Sequence, residues 1–242
     1  MTNQPPIIKI NPQRILIALI ALVGLLVALS IWGQRIKYFG VADIRGSWHE
    51  FLLDLLMQAF FMDAEGNITT FVNALLLFIP ALLLFVIAAW KSGLKDRFRF
   101  HWLGLALVFL FLSFDEAAVL HERLIKPMRA ILGADGIFYF TWVVPGLIAV
   151  AVFGLAYLMF FLHLETKFKI LFFASLAIYI GGVIGGEMVS GYYAANLGQK
   201  NFTYAMVASF EESIEMFGAS LIVYSLLEYL KQYLPEGLTF KA

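Results

Sequence analysis

Six long apolar stretches restrict what this 242-residue chain can fold into. A helix needs about 20 predominantly apolar residues to cross a hydrocarbon core of about 30 Å, and each stretch is close to that length. We predict membrane spans over residues 15–32, 71–90, 102–121, 137–162, 170–194 and 203–227. The predicted fold is therefore an all-α, polytopic membrane helix bundle that forms one domain over residues 1–242.

Composition supports this class and excludes several others. Hydrophobic residues make up 62% of the chain and charged residues 14%, whereas about 25% of a soluble domain is charged. The 17 basic and 17 acidic residues cancel, so net charge gives no reason to expect nucleic acid as a partner. The sequence has no cysteine, which excludes disulfides, thiolate metal ligands and a cysteine nucleophile. The lipid bilayer is the partner that composition predicts.

A further helix is predicted between the first two spans, over about residues 47–61. Apolar and polar residues recur there with helical spacing, which is typical of an amphipathic helix. The apolar side consists of Phe51, Leu52, Leu55, Leu56 and Phe60, and the polar side of His49, Glu50, Asp54 and Gln58. Because the helix is too short to span, we expect it at the outer membrane face, either as an interfacial anchor or as a lid over a polar site.

The distribution of basic residues predicts the orientation of the bundle. With six spans, ten lysines and arginines fall on the side of the two termini and seven on the opposite side. The compact loop KSGLKDRFR, residues 91–99, carries four of the ten. Loops rich in lysine and arginine remain in the cytoplasm, so both termini are predicted to be cytoplasmic.

Acidic side chains lie within or next to three of the predicted spans. A charged side chain at the centre of a bilayer costs roughly 2.5 to 3.5 kcal/mol on insertion scales, so such residues normally face a bundle interior and mark a pathway or a binding site. They are Asp115, Glu116 and Glu122 at the third span, Glu187 in the fifth, and Glu211, Glu212 and Glu215 in the sixth.

These acidic positions converge at one predicted depth. At a rise of about 1.5 Å per residue, all three groups fall between the midplane and the outer face of the membrane. At about 100° per residue, Asp115 and Glu122 share one face of a continuous helix, and the three glutamates of the sixth span fall within an arc of about 100°. We therefore predict one shared site that binds protons or cations, composed of Asp115, Glu116, His121, Glu122, Glu187, Glu211, Glu212 and Glu215.

Four further residues are predicted to surround this site: Ser113, Ser190, Arg123 and His49. The fifth span also contains GGVIGGEMVSG, residues 181–191. Its five glycines permit a close helix approach or a local break. Ordinary helix packing is the simpler explanation of such glycines.

Three functions are consistent with the predicted site. Seven ionised carboxylates in a low-dielectric region need compensation by protonation, hydration or a bound cation. Chains of Asp, Glu and His form proton relays and cation pathways without a fixed ligand spacing, which favours a transporter-like function. A membrane metalloenzyme holding iron, manganese or zinc is the alternative, although the Glu-x-x-His spacing of di-metal bundles is missing. Its ligands would come from Asp115, His121, Glu122, Glu187, Glu212 and Glu215. A structural or accessory protein with protonated, hydrogen-bonded carboxylates is the third interpretation.

Two of the acidic segments carry a resemblance. SFDEAAVLHER, residues 113–123, together with FEESIEMFG, residues 210–218, resembles a pattern found in uncharacterised multi-pass membrane proteins of bacteria. The resemblance covers 20 residues in two predicted helices. It implies a location in the bacterial inner membrane, and it implies no activity, substrate or functional residue.

Overall fold

The computed structural model describes residues 11–40 and 48–234, which form an all-helical bundle. Nine α-helices occur in this described part: α1 Pro12–Phe39, α2 Trp48–Phe60, α3 Ile68–Gly93, α4 Arg99–Ala118, α5 Leu120–Leu132, α6 Val143–His163, α7 Thr166–Ile180, α8 Glu187–Leu197 and α9 Phe202–Tyr233. A π-helix over Gly181–Gly186 joins α7 to α8, so that the two form one continuous segment.

The described residues contain six helical segments that are long and apolar enough to cross a membrane, which confirms the predicted fold class. These segments are α1, α3, α4, α6, the continuous α7–α8 segment and α9. Their length and composition are those of an integral membrane protein. Large apolar side chains such as Leu155 and Phe173 are exposed on their surfaces, as contact with lipid requires.

At two of the predicted span boundaries, the local backbone makes the helix end or begin at a different residue. α4 ends at Ala118 because the next residue, Val119, adopts a left-handed backbone conformation with φ 55°. α6 begins at Val143, later than predicted, because residues Gly136–Phe138 form a separate 3-10 turn. Pro145 lies in the first turn of α6, where its missing amide hydrogen breaks no helical hydrogen bond.

The predicted amphipathic helix is present as α2. Its apolar residues Phe51, Leu52 and Leu55 are exposed. On its other side α2 packs against α1, where Met57 lies so close to Gly33 that a β-carbon on the glycine would be 3.0 Å from the methionine Cγ. The side chain of His49 lies outside the described residues.

Asparagine side chains begin three of the helices. Asn11 accepts hydrogen bonds from the amides of the first turn of α1, Asn67 accepts from the amide of Thr70 at 3.0 Å, and Asn201 accepts from the amide of Tyr204 at 2.8 Å. An N-cap of this kind satisfies amide groups that have no partner within the helix. These caps set where α1, α3 and α9 start.

α9 is the central helix of the bundle. It packs against α1, α3 and α7. Of the residues in its apolar 18-residue stretch 61% are buried, against 11% in the corresponding stretch of α6. Small residues allow this close packing. A β-carbon on Gly218 would lie 2.6 Å from the Cα of Tyr179 in α7. The backbones of α9 and α7 are therefore in close contact at this point.

The two ends of the bundle differ in content. We call the end at which α9 finishes the aromatic end, because Trp102 and Phe168 pack on Tyr229 there with ring centroids 4.9 Å apart in each pair. We call the opposite end, at which α9 begins, the carboxylate end. It holds the C-terminal part of α4, the π-helix, α8 and the N-terminal half of α9.

Candidate functional site

The glycines of the π-helix make room for the glutamates of α9. A β-carbon on Gly182 would lie 2.7 Å from the Cγ of Glu215, and one on Gly186 would lie 2.7 Å from the Cγ of Glu211. Real β-carbons do not approach other atoms this closely, so both positions require glycine. The glycine-rich segment provides both a close helix approach and a local change of helix type, which the sequence offered as alternatives to ordinary packing.

Glu187 and Glu211 form a pair at the junction between the π-helix and α8. Their carboxyl groups lie within hydrogen-bonding range of each other, and the hydroxyl of Ser190, which donates to the backbone carbonyl of Glu187 at 3.3 Å, lies beside Glu211. Glu211 is buried, with 6% of its surface exposed. The indole of Trp142 lies beside Glu187. The structure thus brings together two of the predicted site residues and one of the predicted surrounding serines.

Asp115 and His121 form a second pair, at the end of α4. One carboxylate oxygen accepts from the backbone amide of His121 at 2.9 Å, and the other lies 2.9 Å from its Nδ1. The left-handed turn at Val119 makes this geometry possible, because it redirects the chain between α4 and α5 and brings the imidazole back over Asp115. Trp142 packs against the same imidazole, with ring centroids 5.0 Å apart.

The charge of His121 follows from this pair. Burial opposes the charged imidazolium, but the hydrogen bond and the negative charge of Asp115 outweigh it and raise the pKa of His121 to about 9. His121 is therefore a cation at neutral pH. It compensates one of the carboxylates at this end of the bundle.

Glu116 is held by a residue that the sequence did not indicate. Asn73 of α3 is almost fully buried and donates a hydrogen bond of 3.0 Å to the carboxylate of Glu116. Ser113, which was predicted to surround the carboxylates, instead donates to the carbonyl of Ala74 at 2.8 Å. Both contacts tie α3 to α4, and only the first reaches an acidic side chain.

Glu212 and Glu215 complete the inward side of α9. Glu215 is buried against Gly182. Glu212 lies within electrostatic range of Glu116 and Glu187, so the acidic groups of α4, α8 and α9 act on one another. The structure thus brings these predicted residues of α4, α8 and α9 together at the carboxylate end.

The loop between α2 and α3 adds two carboxylates that the sequence analysis missed. Asp63 accepts a hydrogen bond from the hydroxyl of Tyr204 at 3.2 Å. Burial, only partly offset by that bond, raises the pKa of Asp63 to about 7. Desolvation by neighbouring protein atoms, with the charges of Glu116 and Glu122, raises the pKa of Glu65 to about 7 as well, although Glu65 remains exposed. Hydropathy does not indicate a functional role for Asp63 and Glu65, because acidic residues are common in polar loops.

Glu122 and Arg123 lie at the rim of the site. Both are exposed on α5. The expectation that Asp115 and Glu122 share one helix face assumed a continuous helix, and the break at Val119 removes that assumption. Glu122 remains within electrostatic range of Asp63 and Glu187.

A metal ion needs several histidine or carboxylate side chains that point at one position. Among residues 11–40 and 48–234, no group of three or more histidines, aspartates or glutamates is arranged to hold a metal ion. The side chains that would be ligands are engaged with one another, since His121 binds Asp115 and Glu187 binds Glu211.

A family model described as a domain of unknown function, DUF8692, matches residues 15–229. The chain belongs to this family. No curated protein and no solved structure matches it.

Proposed function

We propose that this member of the DUF8692 family binds and transfers protons at its carboxylate end, in a transporter-like function. The observation that supports the proposal is the close pairing of the carboxyl groups of Glu187 and Glu211 within hydrogen-bonding range. An ionised carboxylate has no donor, so two of them can bond to each other only when a proton lies between them. A buried proton within a membrane-spanning segment is a proton-binding site.

Neighbouring groups support transfer of that proton. Acidic and imidazole side chains that succeed one another within a membrane protein are the usual components of proton relays. Glu212 lies in electrostatic range of Asp63, Glu116 and Glu187, and so connects the loop, α4 and α8. Asp63, with its pKa raised to about 7, is half protonated near neutral pH and is suited to exchange protons with solvent. In this proposal Asp63 loads the site and the Glu187–Glu211 pair stores the proton.

The surrounding charges set what else the site accepts. The imidazolium of His121 compensates Asp115, while the acidic groups of α8 and α9 have few cations near them. The remaining negative charge favours a proton or another small cation over an anionic or large neutral substrate. A small cation whose movement is coupled to that of the proton is the natural second substrate.

We also infer a position in the cell. We infer that the protein lies in the inner membrane of a bacterium, with both termini in the cytoplasm and the carboxylate end on the outer side. An even number of spanning segments puts both termini on one side. The basic loop of Lys91, Lys95 and Arg97 at the aromatic end supports a cytoplasmic location for that side, and the resemblance of residues 113–123 and 210–218 supports the bacterial membrane.

Proton flux in reconstituted liposomes tests the function. The purified protein is placed in vesicles that contain a pH-sensitive dye, and a pH or Na⁺ gradient is imposed. Glu211→Gln is expected to lose the flux while expression and melting temperature stay near those of the wild type, since glutamine preserves shape and most hydrogen bonds but carries no exchangeable acid proton. Glu212→Gln and Asp115→Asn are expected to change the flux in the same direction.

Glu165→Gln is the matched control. Glu165 is exposed at the aromatic end, where it accepts a hydrogen bond from Gln232 at 3.0 Å, and its substitution should leave the flux unchanged. Full flux in both Glu187→Gln and Glu211→Gln would refute the proposal. Metal analysis of the same preparations provides a separate check: bound iron, manganese or zinc that disappears in Glu212→Gln would favour a metalloenzyme instead.

A further inference from the structure

α5 is an amphipathic helix that follows directly on the carboxylate end, and the function proposed above does not use its outer surface. It has 13 residues, none of them buried. At about 1.5 Å per residue it is roughly 20 Å long, which is too short to cross a hydrocarbon core of about 30 Å. A left-handed residue at each end, Val119 and Gly133, sets it apart from the helix before it and the loop after it.

One side of α5 is attached to the protein. The carbonyl of Ile125 accepts a hydrogen bond of 2.7 Å from the hydroxyl of Thr141. The guanidinium of Arg129 donates to the carbonyl of Tyr139 and lies 4.2 Å from the centre of its ring. These contacts orient the helix, and residues on its other two sides are exposed.

The free sides are an apolar face and a basic edge. Leu124 and Ile131 are seven residues apart and therefore share one face, and 46% and 75% of their surfaces are exposed. Arg123 and Lys126, on the adjoining edge, are exposed as well. Within residues 11–40 and 48–234 neither of them forms an ion pair. Glu122 is the single acidic residue of the helix.

We infer that α5 lies in the headgroup layer at the carboxylate end and binds the phosphate groups of anionic phospholipids through Arg123 and Lys126. A helix with an apolar face beside a basic edge lies in the interface, with the apolar face in the acyl region and the basic side chains at headgroup level. Each lysine or arginine near an anionic surface adds to the attraction between helix and membrane. The occupant of this surface is thus lipid, and the charge complementarity selects anionic over zwitterionic lipid.

Lipid quenching of a single fluorophore tests the inference. Because the chain has no cysteine, Ile131→Cys provides a unique labelling site on the apolar face. The labelled protein is reconstituted in equal amounts of phosphatidylglycerol and phosphatidylcholine, with only one of the two brominated in each sample. Brominated phosphatidylglycerol is expected to quench at least about threefold more effectively than brominated phosphatidylcholine.

Two double variants isolate the basic edge. R123Q/K126Q should bring the quenching ratio of the two lipids close to one, whereas R123K/K126R keeps the charges and should retain the wild-type ratio. A label at Leu155→Cys, which is 75% exposed on α6, should report a ratio near one. The inference is overturned by a ratio near one at Ile131, by a ratio that R123Q/K126Q leaves unchanged, or by equal enrichment at Leu155. Weak quenching by both lipids also overturns it, since a second copy of the chain would then cover α5.

Discussion

The two halves of α9 pack against the bundle in opposite ways. At the carboxylate end, the backbone of the π-helix approaches so closely that the Cγ atoms of Glu211 and Glu215 occupy the space that β-carbons on Gly186 and Gly182 would need. At the aromatic end, rings pack around Tyr229 and leave beside them an apolar cavity of about 80 Å³. The contacts of Glu211 and Glu215 with the π-helix leave no spare volume, whereas the rings of the second half leave some.

This difference assigns different tasks to the two ends. Ring packing at the aromatic end contributes dispersion and burial, and it tolerates small voids. The glycine–glutamate contacts hold carboxyl groups at fixed separations, as proton exchange requires. We therefore expect changes at the aromatic end to alter stability, and changes at the carboxylate end to alter proton binding or its pH dependence.

The largest expected effect is the loss of a buried ring. Trp102 has 2% of its surface exposed, and Trp102→Ala should lower the free energy of unfolding by about 3 to 5 kcal/mol. The flux per folded molecule in liposomes should stay at the wild-type value. Thermal melting in detergent measures the first quantity, and Trp32→Ala, at a position 49% exposed, is the control that should melt normally. A folded Trp102→Ala protein without flux would show that the two ends are not separable.

A single methyl group should disturb the carboxylate end almost as strongly. Gly182→Ala would force a β-carbon against Glu215, and overpacking of this kind costs about 1 to 3 kcal/mol. Gly181→Ala and Gly185→Ala are matched controls in the same π-helix, because a β-carbon at either position meets no atom within 4 Å. The melting temperature of Gly182→Ala should be lower than those of Gly181→Ala and Gly185→Ala. If all three melt alike, the contact with Glu215 has been misjudged.

The pair of Asp115 and His121 gives the carboxylate end a pH dependence. The pKa of His121 is raised from its usual 6.5 to about 9, so the stabilisation from this pair is fully present below pH 6.5 and is lost as the pH rises through about 9. Asp115→Asn should cost about 1 to 2 kcal/mol at pH 6 and should flatten the melting profile between pH 6.5 and 9. His163→Gln, exposed at the aromatic end, should leave that slope as it is.

The smallest expected effect is a gain of stability. Val119 has a left-handed conformation that costs an ordinary residue roughly 1 to 2 kcal/mol, and glycine adopts it freely. Val119→Gly should therefore raise stability by up to about 1 kcal/mol after the loss of chain entropy is included. Val189→Gly, within α8, should lower stability by about 0.5 kcal/mol. A Val119→Gly protein that melts below the wild type would mean that the valine side chain has contacts that compensate its strain.

Hydropathy was sufficient for the membrane-spanning part of the fold. The length of an apolar run and the thickness of a bilayer are both fixed quantities, so the six spanning segments followed directly from residues such as those of α1 and α3. Helix rise and rotation likewise predicted that the acidic residues share one region, and the structure brings those of α4, α8 and α9 together at the carboxylate end. These inferences depend only on regular helices.

The predictions failed where the backbone is irregular. Nothing in the letters AAVLHER marks a left-handed residue, because valine ordinarily avoids that conformation. The turn at Val119 ends α4 early and interrupts the continuous helix on which Glu122 was expected to share a face with Asp115. Asp63 and Asn73 were missed for a related reason: a loop carboxylate and a single amide in a span gain their positions only from the packing of other helices.

The π-helix over Gly181–Gly186 also makes the length of the chain part of the site. A π-helix closes its hydrogen bonds over five residues instead of four, so it holds one residue more than the α-helix that would join the same two ends. Deleting one glycine would allow regular α-helix to re-form between the same two ends, so α7 and α8 would keep their relative rotation. The extra residue is therefore taken up within the π-helix itself, where Gly182 and Gly186 lie against Glu215 and Glu211, and not by a rotation of α7 relative to α8.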